Sequence, residues 1–272
     1  MRDLIAANFR RMFKNNLFWG GVLFMFFVAV VELVSSKIEM LSGDGSAASS
    51  VLDSLLYDGA LRLSVVMAVF VSVFVGTDYS DGTIRNKITL GHHRGSIFFA
   101  NLIACVSAAV LMQATHLFSL FVPGWFLFRD LTVTTNEVIS LILLDMLAVN
   151  AFTAIYVAVC MISRSKSTSA IVSLLFAFSA SLLSLILFQE LLQPEYVMDS
   201  VSAELVRNPY YIGGIKRTLF AFLNDALPSS QIMQLESGQV IGHAERFVIY
   251  DLAIMAFMTV GGIFVFQRED LK

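Results

Sequence analysis

The chain is poor in charged residues for its 272 positions. Only 14% of them are Asp, Glu, Lys or Arg, whereas 57% are hydrophobic and the mean hydropathy is +0.76. Soluble domains carry about a quarter charged residues, so this composition is typical of a membrane protein with several spans. The formal net charge is only −3, and no basic face is large enough to neutralise many phosphates, which excludes nucleic-acid binding.

Cysteine is almost absent, and motifs of cofactor or catalytic sites are missing. Cys105 and Cys160 both lie in apolar runs and are expected to be buried hydrophobic residues rather than a disulfide or a metal pair. The chain contains no phosphate-binding loop, no zinc-protease motif and no nucleophile elbow. His92 and His93 alone make a poor ligand set, so a solvated turn is favoured over a metal site. We therefore expect no bound cofactor or metal and no enzyme activity in this chain.

Six apolar runs are long enough to cross a bilayer, which needs about 20 residues of helix. We take the first run as a retained span rather than a signal peptide, because it is long and no small-residue cleavage site closes it. The prediction is an all-α, polytopic, single transmembrane domain over 1–272. Its spans are predicted at 17–35, 61–76, 98–122, 138–162, 169–188 and 247–266.

The N-terminal segment 1–16 has the pattern of a short basic amphipathic helix. Apolar residues recur at helical spacing, and four cations lie between them. Such a helix can lie in the headgroup plane, although a positive flank that only orients the first span has the same composition. The residues that define the interfacial helix are Phe9, Arg10, Arg11 and Phe13.

The positive charges cluster in alternate loops. The N-terminus, segment 77–97, the turn at 163–168 and the tail at 267–272 hold eleven of the eighteen Lys and Arg residues. Cytoplasmic loops of membrane proteins carry such an excess, so both termini are predicted to be cytoplasmic. Segment 189–246 then lies outside the cell.

The long segment 189–246 contains three predicted short helices. The first opens at Pro194, with Val197, Val201 and Leu205 on one face. The second runs up to Pro228, and the third is capped by Ser229 and Ser230. The last two form either a pair that dips into the outer leaflet or a hairpin on the surface.

Ionisable residues inside the spans are expensive and are functional candidates by default. Asp145 in the fourth span can carry protons or contact a cationic group, and His116 in the third span is the other deep ionisable residue. The structural alternative is that Asp145 faces the bundle and bonds a neighbour such as Asn150.

Two further patterns concern packing and a pathway. Small residues at four-residue steps on the fifth span form a candidate seam, either between subunits or within the bundle. Phenylalanines of the second and fifth spans, with Asp145, form a candidate pathway, although Phe in a span more often packs or faces lipid. The seam residues are Ser169, Ser173, Ala177 and Ser181, and the pathway residues are Phe70, Phe74, Asp145 and Phe176.

Segment 77–97 is a charged island between two membrane-length runs. Asp81 or Thr83 can cap a short helix there. Arg85, Lys87 and Arg94 can then meet an acidic partner surface. A solvated basic loop that only sets the topology is the alternative.

The layout resembles the type-2 ABC export permeases. The shared features are six spans, a basic amphipathic N-terminus and a long outer segment before the last span. Within segment 77–97, Asp78, the pair Gly82-Thr83 and the pair His93-Arg94 stand where that family has a Glu, Gly-Thr and a Ser-Arg-like pair. The ending 266–272 is similar to the family's aromatic and charged tail.

The resemblance implies a permease subunit of an ATP-driven exporter in a bacterial plasma membrane. It implies a second permease, identical or homologous, and two separate ABC ATPase subunits that bind ATP and Mg. Its cargo would be amphipathic or hydrophobic, such as a peptide, a bacteriocin-like toxin, a lipid or a drug. The alternative function is an ion-gradient-driven secondary transporter that uses Asp145 and His116. The residues implied in coupling to the ATPase are Asp78, Asp81, Gly82, Thr83, Arg85, Lys87 and Arg94.

Overall fold

A computed structural model describes residues 1–42, 55, 59–128, 134–198, 204–237 and 244–268. Within these ranges the chain is almost entirely helical, which confirms the predicted all-α class. The helices are α1 (Arg2–Phe13), α2 (Asn16–Ser42), α3 (Ala60–Ser80), α4 (Thr83–Thr89), α5 (Arg94–Phe128), α6 (Thr135–Ser163), α7 (Lys166–Leu192), α8 (Gly214–Ala226), α9 (Pro228–Glu236) and α10 (Ala244–Arg268). Two short strands, β1 (Tyr196–Met198) and β2 (Leu205–Arg207), precede α8.

Six of these helices are long and apolar enough to cross a membrane: α2, α3, α5, α6, α7 and α10. The chain therefore has the architecture of a multi-pass membrane protein. Each predicted apolar run lies inside one of these helices, and the helices extend beyond the runs. The third span does not end at Pro123, since α5 continues through this residue to Phe128. Proline is tolerated inside membrane helices because neighbouring groups satisfy the carbonyl that it leaves free.

The six long helices alternate in direction and define two ends of the bundle. At the first, called the α4 end, Tyr79 donates a hydrogen bond to the carbonyl of Met161 at 2.8 Å. At the other, called the α9 end, the hydroxyls of Ser184 and Ser229 lie 2.6 Å apart. α1 and α4 lie at the α4 end, and α8, α9 and the two strands lie at the α9 end.

The centre of the bundle is the packing of α3 against α6 and α7. Large aromatic side chains fill it, among them Phe70, Phe74, Phe152 and Tyr156, which are all at most 1% exposed. α2 packs on α5, and α10 packs on α6. The outward faces of α2, α7 and α10 expose large apolar side chains, as expected of helices that face lipid.

The small-residue stripe of the fifth span is a seam within the chain. Ser169, Ser173 and Ala177 are fully buried, and α7 makes its most extensive packing with α3. Gly76 of α3 lies so close to α7 that a Cβ there would be 2.8 Å from the Cα of Lys166. Ser181 is only half-buried, and the stripe continues through Ser184 instead. Small side chains let the two backbones approach closely.

The helix predicted from Pro194 does not form in the described residues. Val197 lies in β1 and pairs with Val206 of β2, and the two strands are antiparallel. The Asn208 amide donates to the carbonyl of Pro194 at 3.0 Å, which closes the base of this hairpin. Aromatic and β-branched residues here favour an extended conformation over the helix that the spacing predicted. Val201 lies outside the described residues.

The two later helices of this segment form as predicted, but the cap of the second was predicted wrongly. Leu227 is the N-cap of α9, and Pro228 occupies its first turn. Ser230 donates a hydrogen bond to the Ser184 hydroxyl at 2.8 Å, and Ser229 contacts the same atom. Both hydroxyls therefore bind α7 rather than the start of α9. α9 is largely buried and packs against α3, α6, α7 and α10.

Candidate functional site

The short helix α4 is held between two glycines with left-handed backbone. Gly82 is its N-cap with φ of 69°, and Gly91 follows its last turn with φ of 85°. Glycine adopts this conformation without the steric cost that a Cβ imposes. The predicted caps Asp81 and Thr83 are wrong, since α4 has no side-chain cap. These glycines let α4 turn sharply away from both α3 and α5.

α4 has one buried face and one exposed face. Ile84 is 1% exposed and joins the core, while Lys87 also turns inward. Arg85 lies on the exposed face, and Leu90, just after the helix, is 78% exposed. Arg85 and Leu90 are therefore accessible to a partner at this end of the bundle.

Asp78 is the hub of a polar cluster beneath α4. Its side chain is 1% exposed and forms ion pairs with Arg11 of α1 and Lys87 of α4. The Nζ atom of Lys87 lies 2.9 Å from Oδ2 of Asp78, and the Thr83 hydroxyl donates to Oδ1 at 2.7 Å. One carboxylate therefore joins α1, the end of α3 and the first turn of α4. We call Asp78 with Arg11, Thr83, Lys87, Asn8 and Asn101 the Asp78 cluster.

The cluster continues through two buried amides that connect α1 to α5. The Asn8 amide donates to Oδ1 of Asn101 at 2.8 Å, and Lys87 reaches Oδ1 of Asn8 at 3.4 Å. Sequence reasoning missed both asparagines. Asn8 lies between Leu4 and Met12 at four-residue spacing on the buried face of α1, so a polar residue inside an apolar stripe was the available signal.

Two cations share one carboxylate in this cluster, and their burial has an electrostatic cost. Burial, and next the neighbouring Arg11 cation, lower the pKa of Lys87 to about 8. Burial also lowers the pKa of Arg11 from its usual value, while its guanidinium lies 3.9 Å above the ring of Phe74. This stacking is a cation–π contact, which compensates part of the lost solvation.

The coupling residues predicted from the sequence therefore divide into two groups. Asp78, Thr83 and Lys87 hold the segment to the bundle. Lys87 therefore does not face a partner, contrary to our expectation. Arg94 also turns inward, since its Nη1 donates to the carbonyl of Phe266 at 2.7 Å. The exposed charges that remain on this segment are those of Asp81 and Arg85.

α1 is a helix as predicted, but neither Phe9 nor Phe13, the apolar residues predicted to define it, belongs to its fully buried face. Leu4, Asn8 and Met12 face α5, whereas Phe13 is 47% exposed. Among the predicted interfacial residues, Phe9 is half-buried, Arg10 is exposed and Arg11 binds Asp78. α1 is thus attached along α5 and exposes Arg10 and Phe13.

The deep ionisable residues Asp145 and His116 have different partners. Oδ2 of Asp145 accepts a hydrogen bond from the Gln113 amide at 2.9 Å. His116 lies 3.0 Å from Glu32, which also pairs with Arg62. Glu32 is 9% exposed, and its pairs with Arg62 and His116 join α2, α3 and α5. The structural alternative named Asn150 as a partner of Asp145, whereas the bond that forms is to Gln113.

The pathway phenylalanines pack inside the bundle in this conformation. Phe70 and Phe74 stack with ring centroids 5.2 Å apart, and Phe176 meets Phe152 edge to face. Phe70 also borders an apolar groove of about 270 Å³ between α2 and α3, near Gly20 and Gly21.

Comparison with known proteins leaves the family open. The chain matches no protein-family model, and no curated protein matches it. Among the described residues, no three His, Cys, Asp or Glu side chains are grouped closely enough to hold a metal ion.

Proposed function

We propose that the chain is the permease subunit of an ATP-driven exporter and that α4 transmits force from separate ATPase subunits. In this role two ATPase subunits dock at the α4 end, which is cytoplasmic. The chain pairs with a second permease, identical or homologous, in a bacterial plasma membrane. The cargo is amphipathic or hydrophobic.

The exposed tip at residues 81–91 is the observation that carries the proposal. Leu90 is 78% exposed and lies just after α4, which exposes Arg85, while Asp81 is exposed just before the helix. A rigid helix with one apolar knob and a few charges suits insertion into a groove of a soluble partner. A loop that only sets topology needs neither this apolar exposure nor a buried network beneath it.

The attachment of α4 supports a mechanical role. α3 ends at Ser80, and Asp78 ties its last turn to Thr83 and Lys87. The side chain of Tyr79 binds the end of α6 at 2.8 Å. A push on α4 is therefore transmitted into α3 and α6 rather than absorbed by a flexible loop.

α3 also packs closely on α7, so these two spans move together if α4 is displaced. Gly76 of α3 lies very close to Lys166 of α7 near the α4 end. Movement of the second and fifth spans, α3 and α7, is the motion that we propose for transport. α1 braces the same cluster through Arg11.

The test is reconstitution of the chain with its ATPase subunits, identified by co-purification. We expect Arg85→Glu combined with Leu90→Ser to abolish both the complex and the stimulation of ATP hydrolysis by the permease. Membrane insertion should remain normal, because both side chains are exposed. Lys14→Glu is the matched control, since Lys14 is an exposed cation at the same end but lies outside α4.

Two results would overturn the proposal. One is transport by the purified chain alone in lipid vesicles, with no nucleotide and no partner. The other is an unchanged complex and unchanged ATPase stimulation in the double variant.

A secondary transporter driven by an ion gradient is the second candidate, and the buried carboxylate of Asp145 is the observation that favours it. Asp145 and His116 bind different partners, Gln113 and Glu32. Asp145→Asn should abolish gradient-driven uptake if this function is correct. Under the export proposal, transport by the same variant still follows ATP hydrolysis and does not respond to collapse of the gradient.

A further inference from the structure

Two concave surfaces of opposite character lie near the junction of α1 and α2. The first, which we call the basic hollow, has a volume of about 540 Å³ and lies along one face of α1. The second is the apolar groove of about 270 Å³ between α2 and α3, which we call the α2–α3 groove. A cationic surface beside an apolar one suits an amphipathic molecule with an anionic head.

The basic hollow carries an excess of positive charge. Arg10, Arg11 and Lys14 line it together with Asp3 and two alanines, so three cations accompany one acid. Arg11 is already paired with Asp78. Arg10 and Lys14 are exposed, and among the described residues neither forms an ion pair with an acid. Two cations are therefore available to an anion from outside the protein.

The α2–α3 groove is lined entirely by apolar residues. Leu17, Gly20, Gly21 and Phe24 form its α2 side, and three valines with Phe70 form its α3 side. From Leu17 to Phe24 the helix advances about 10 Å, at 1.5 Å per residue. Gly20 keeps the groove open, because a Cβ at this position would have nothing within 4 Å and would project into unfilled space. An elongated apolar slot of this kind suits a hydrocarbon chain.

A row of contacts joins the hollow to the groove. Arg11, which lines the hollow, has its Cζ 3.9 Å from the centroid of the Phe74 ring. Phe74 stacks on Phe70 with ring centroids 5.2 Å apart, and Phe70 lines the groove. Along the chain, Lys14 of the hollow is three residues from Leu17 of the groove, which separates their Cα atoms by at most about 11 Å. One molecule can therefore contact both surfaces.

The junction also carries an aromatic residue typical of a membrane interface. Trp19 is 50% exposed, and its Nε1 donates a hydrogen bond to the carbonyl of Phe13 at 2.8 Å. Tryptophan is enriched at the level of lipid headgroups, because its ring is apolar and its N–H is polar. The backbone N–H of Leu17 donates to Oδ1 of Asn15 at 2.8 Å, which fixes the turn between the two helices. Such a junction is expected where lipid phosphates meet the bundle.

We propose that the basic hollow and the α2–α3 groove together form a binding site for one anionic phospholipid. The lipid phosphate is bound by Arg10 and Lys14, and one acyl chain lies in the groove beside Gly20. The lipid comes from the leaflet at the α4 end. Charge holds its head and the shape of the groove holds its chain, which distinguishes this site from the other lipid-facing surfaces of α2.

Other occupants would use only part of this site. A free phosphate would bind in the hollow and leave the groove empty, whereas an uncharged hydrocarbon would need only the groove. A second copy of the chain would cover the groove at an interface between subunits. Each of these occupants gives a different result in the two experiments that follow.

The first experiment measures lipid binding to the purified chain in detergent by native mass spectrometry, without the proposed ATPase subunits. We expect one phosphatidylglycerol molecule to bind more tightly than any further one, and more tightly than phosphatidylcholine with the same acyl chains. Arg10→Gln combined with Lys14→Gln should weaken this binding about fivefold per cation removed. Arg2→Gln combined with Arg85→Gln is the matched control and should leave binding unchanged, because both are exposed cations at the same end that do not line the hollow.

The second experiment fills the groove. Gly20→Leu should abolish the tight binding of phosphatidylglycerol and preserve the fold, because the space at this position is open. Gly261→Leu on α10 is the matched control, since its Cβ position is equally open but lies on another helix. The charge variant of the first experiment keeps the test decisive even if Gly20→Leu does not fold.

The same experiment separates a lipid from a free phosphate through the thermal unfolding midpoint. Phosphatidylglycerol should raise the midpoint of the wild type, because a ligand that binds only the folded chain stabilises it. Glycerol phosphate, which has the anionic head but no acyl chains, should leave the midpoint unchanged. Loss of this site leaves the exporter proposal intact, since neither experiment includes the partner of α4.

Four results would overturn the proposal. The first is equal binding of phosphatidylglycerol and phosphatidylcholine by the wild type. The second is unchanged binding of phosphatidylglycerol in the charge variant or in Gly20→Leu. The third is stabilisation by glycerol phosphate as large as that by phosphatidylglycerol, which would identify a free phosphate as the ligand. The fourth is a change of oligomeric state in Gly20→Leu but not in Gly261→Leu, which would identify the groove as a contact between copies of the chain.

Discussion

The Nζ atom of Lys87 lies 2.9 Å from Oδ2 of Asp78, and this ion pair holds the inner face of α4 against the last turn of α3. Arg11 binds the other oxygen of the same carboxylate. Three helices therefore depend on one buried acid, and the consequences of removing it can be measured.

Replacement of Asp78 by Ala should destabilise the α4 end strongly. Arg11 and Lys87 would remain partly buried without their anion, and breaking a buried ion pair in this way costs about 3–5 kcal/mol. The thermal unfolding midpoint in detergent checks this. Asp81→Ala is the control, because Asp81 is exposed three residues later. Equal midpoints for the two variants would contradict the central role of Asp78.

The pH dependence of stability should carry the signature of Lys87. Its pKa of about 8 in the folded protein is below the ordinary 10.5, so between these values the unfolded chain holds a proton that the folded chain has released. The contribution of Lys87 to stability therefore rises as pH increases through this window. Going from about pH 7 to about pH 10, the wild type should gain stability relative to Lys87→Met. A difference between the two proteins that stays constant over the same range would contradict this prediction, because it is the result expected if Lys87 stays charged.

Gly76→Ala should weaken the packing of α3 on α7. The added Cβ would lie 2.8 Å from the Cα of Lys166, which is backbone and cannot rotate away. Overpacking of this kind costs about 1–3 kcal/mol. Gly261→Ala on α10 is the control, since nothing lies within 4 Å of its Cβ position, and it should be neutral or slightly stabilising. The unfolding midpoints of both variants test this, and equal effects would exclude the close approach.

Glu32→Ala should loosen the α9 end by separating α2 from α3 and α5. The substitution leaves Arg62 and the buried ring of His116 without the carboxylate that joins them. We expect a loss of about 2 kcal/mol or more, because a removed partner leaves a buried group unsatisfied. Glu39→Ala, at an exposed position of the same helix, should have little effect. Limited proteolysis after α2 is a second readout, and cleavage at the same rate in both variants would contradict the prediction.

Much of the architecture follows from composition and periodicity alone. Apolar runs of membrane length can satisfy their backbone only as helices in a bilayer, so the six spans were predictable one by one. Helix periodicity also identified α1, α8 and α9. Helix periodicity gave the wrong prediction at Val197 and Leu205, which lie in a β-hairpin. There the preference of β-branched and aromatic residues for extended backbone outweighed the helical spacing.

The partners of the polar residues were not predictable, because they come from distant parts of the chain. Asn101 lies 93 positions from Asn8, and Glu32 lies 84 positions from His116, yet each pair is in hydrogen-bond contact. Spacing along one helix shows which face a residue occupies but not which helix meets that face. For this reason Lys87 was expected on the outer surface of α4, although its side chain lies inside.

The amino-acid order was sufficient to place six crossings and the charged segment between the second and third of them, because burial of apolar helix in lipid depends on local composition. Packing between helices decided the rest. It turned Lys87 inward to Asp78 and left Leu90 exposed, since both outcomes depend on which surfaces meet in three dimensions.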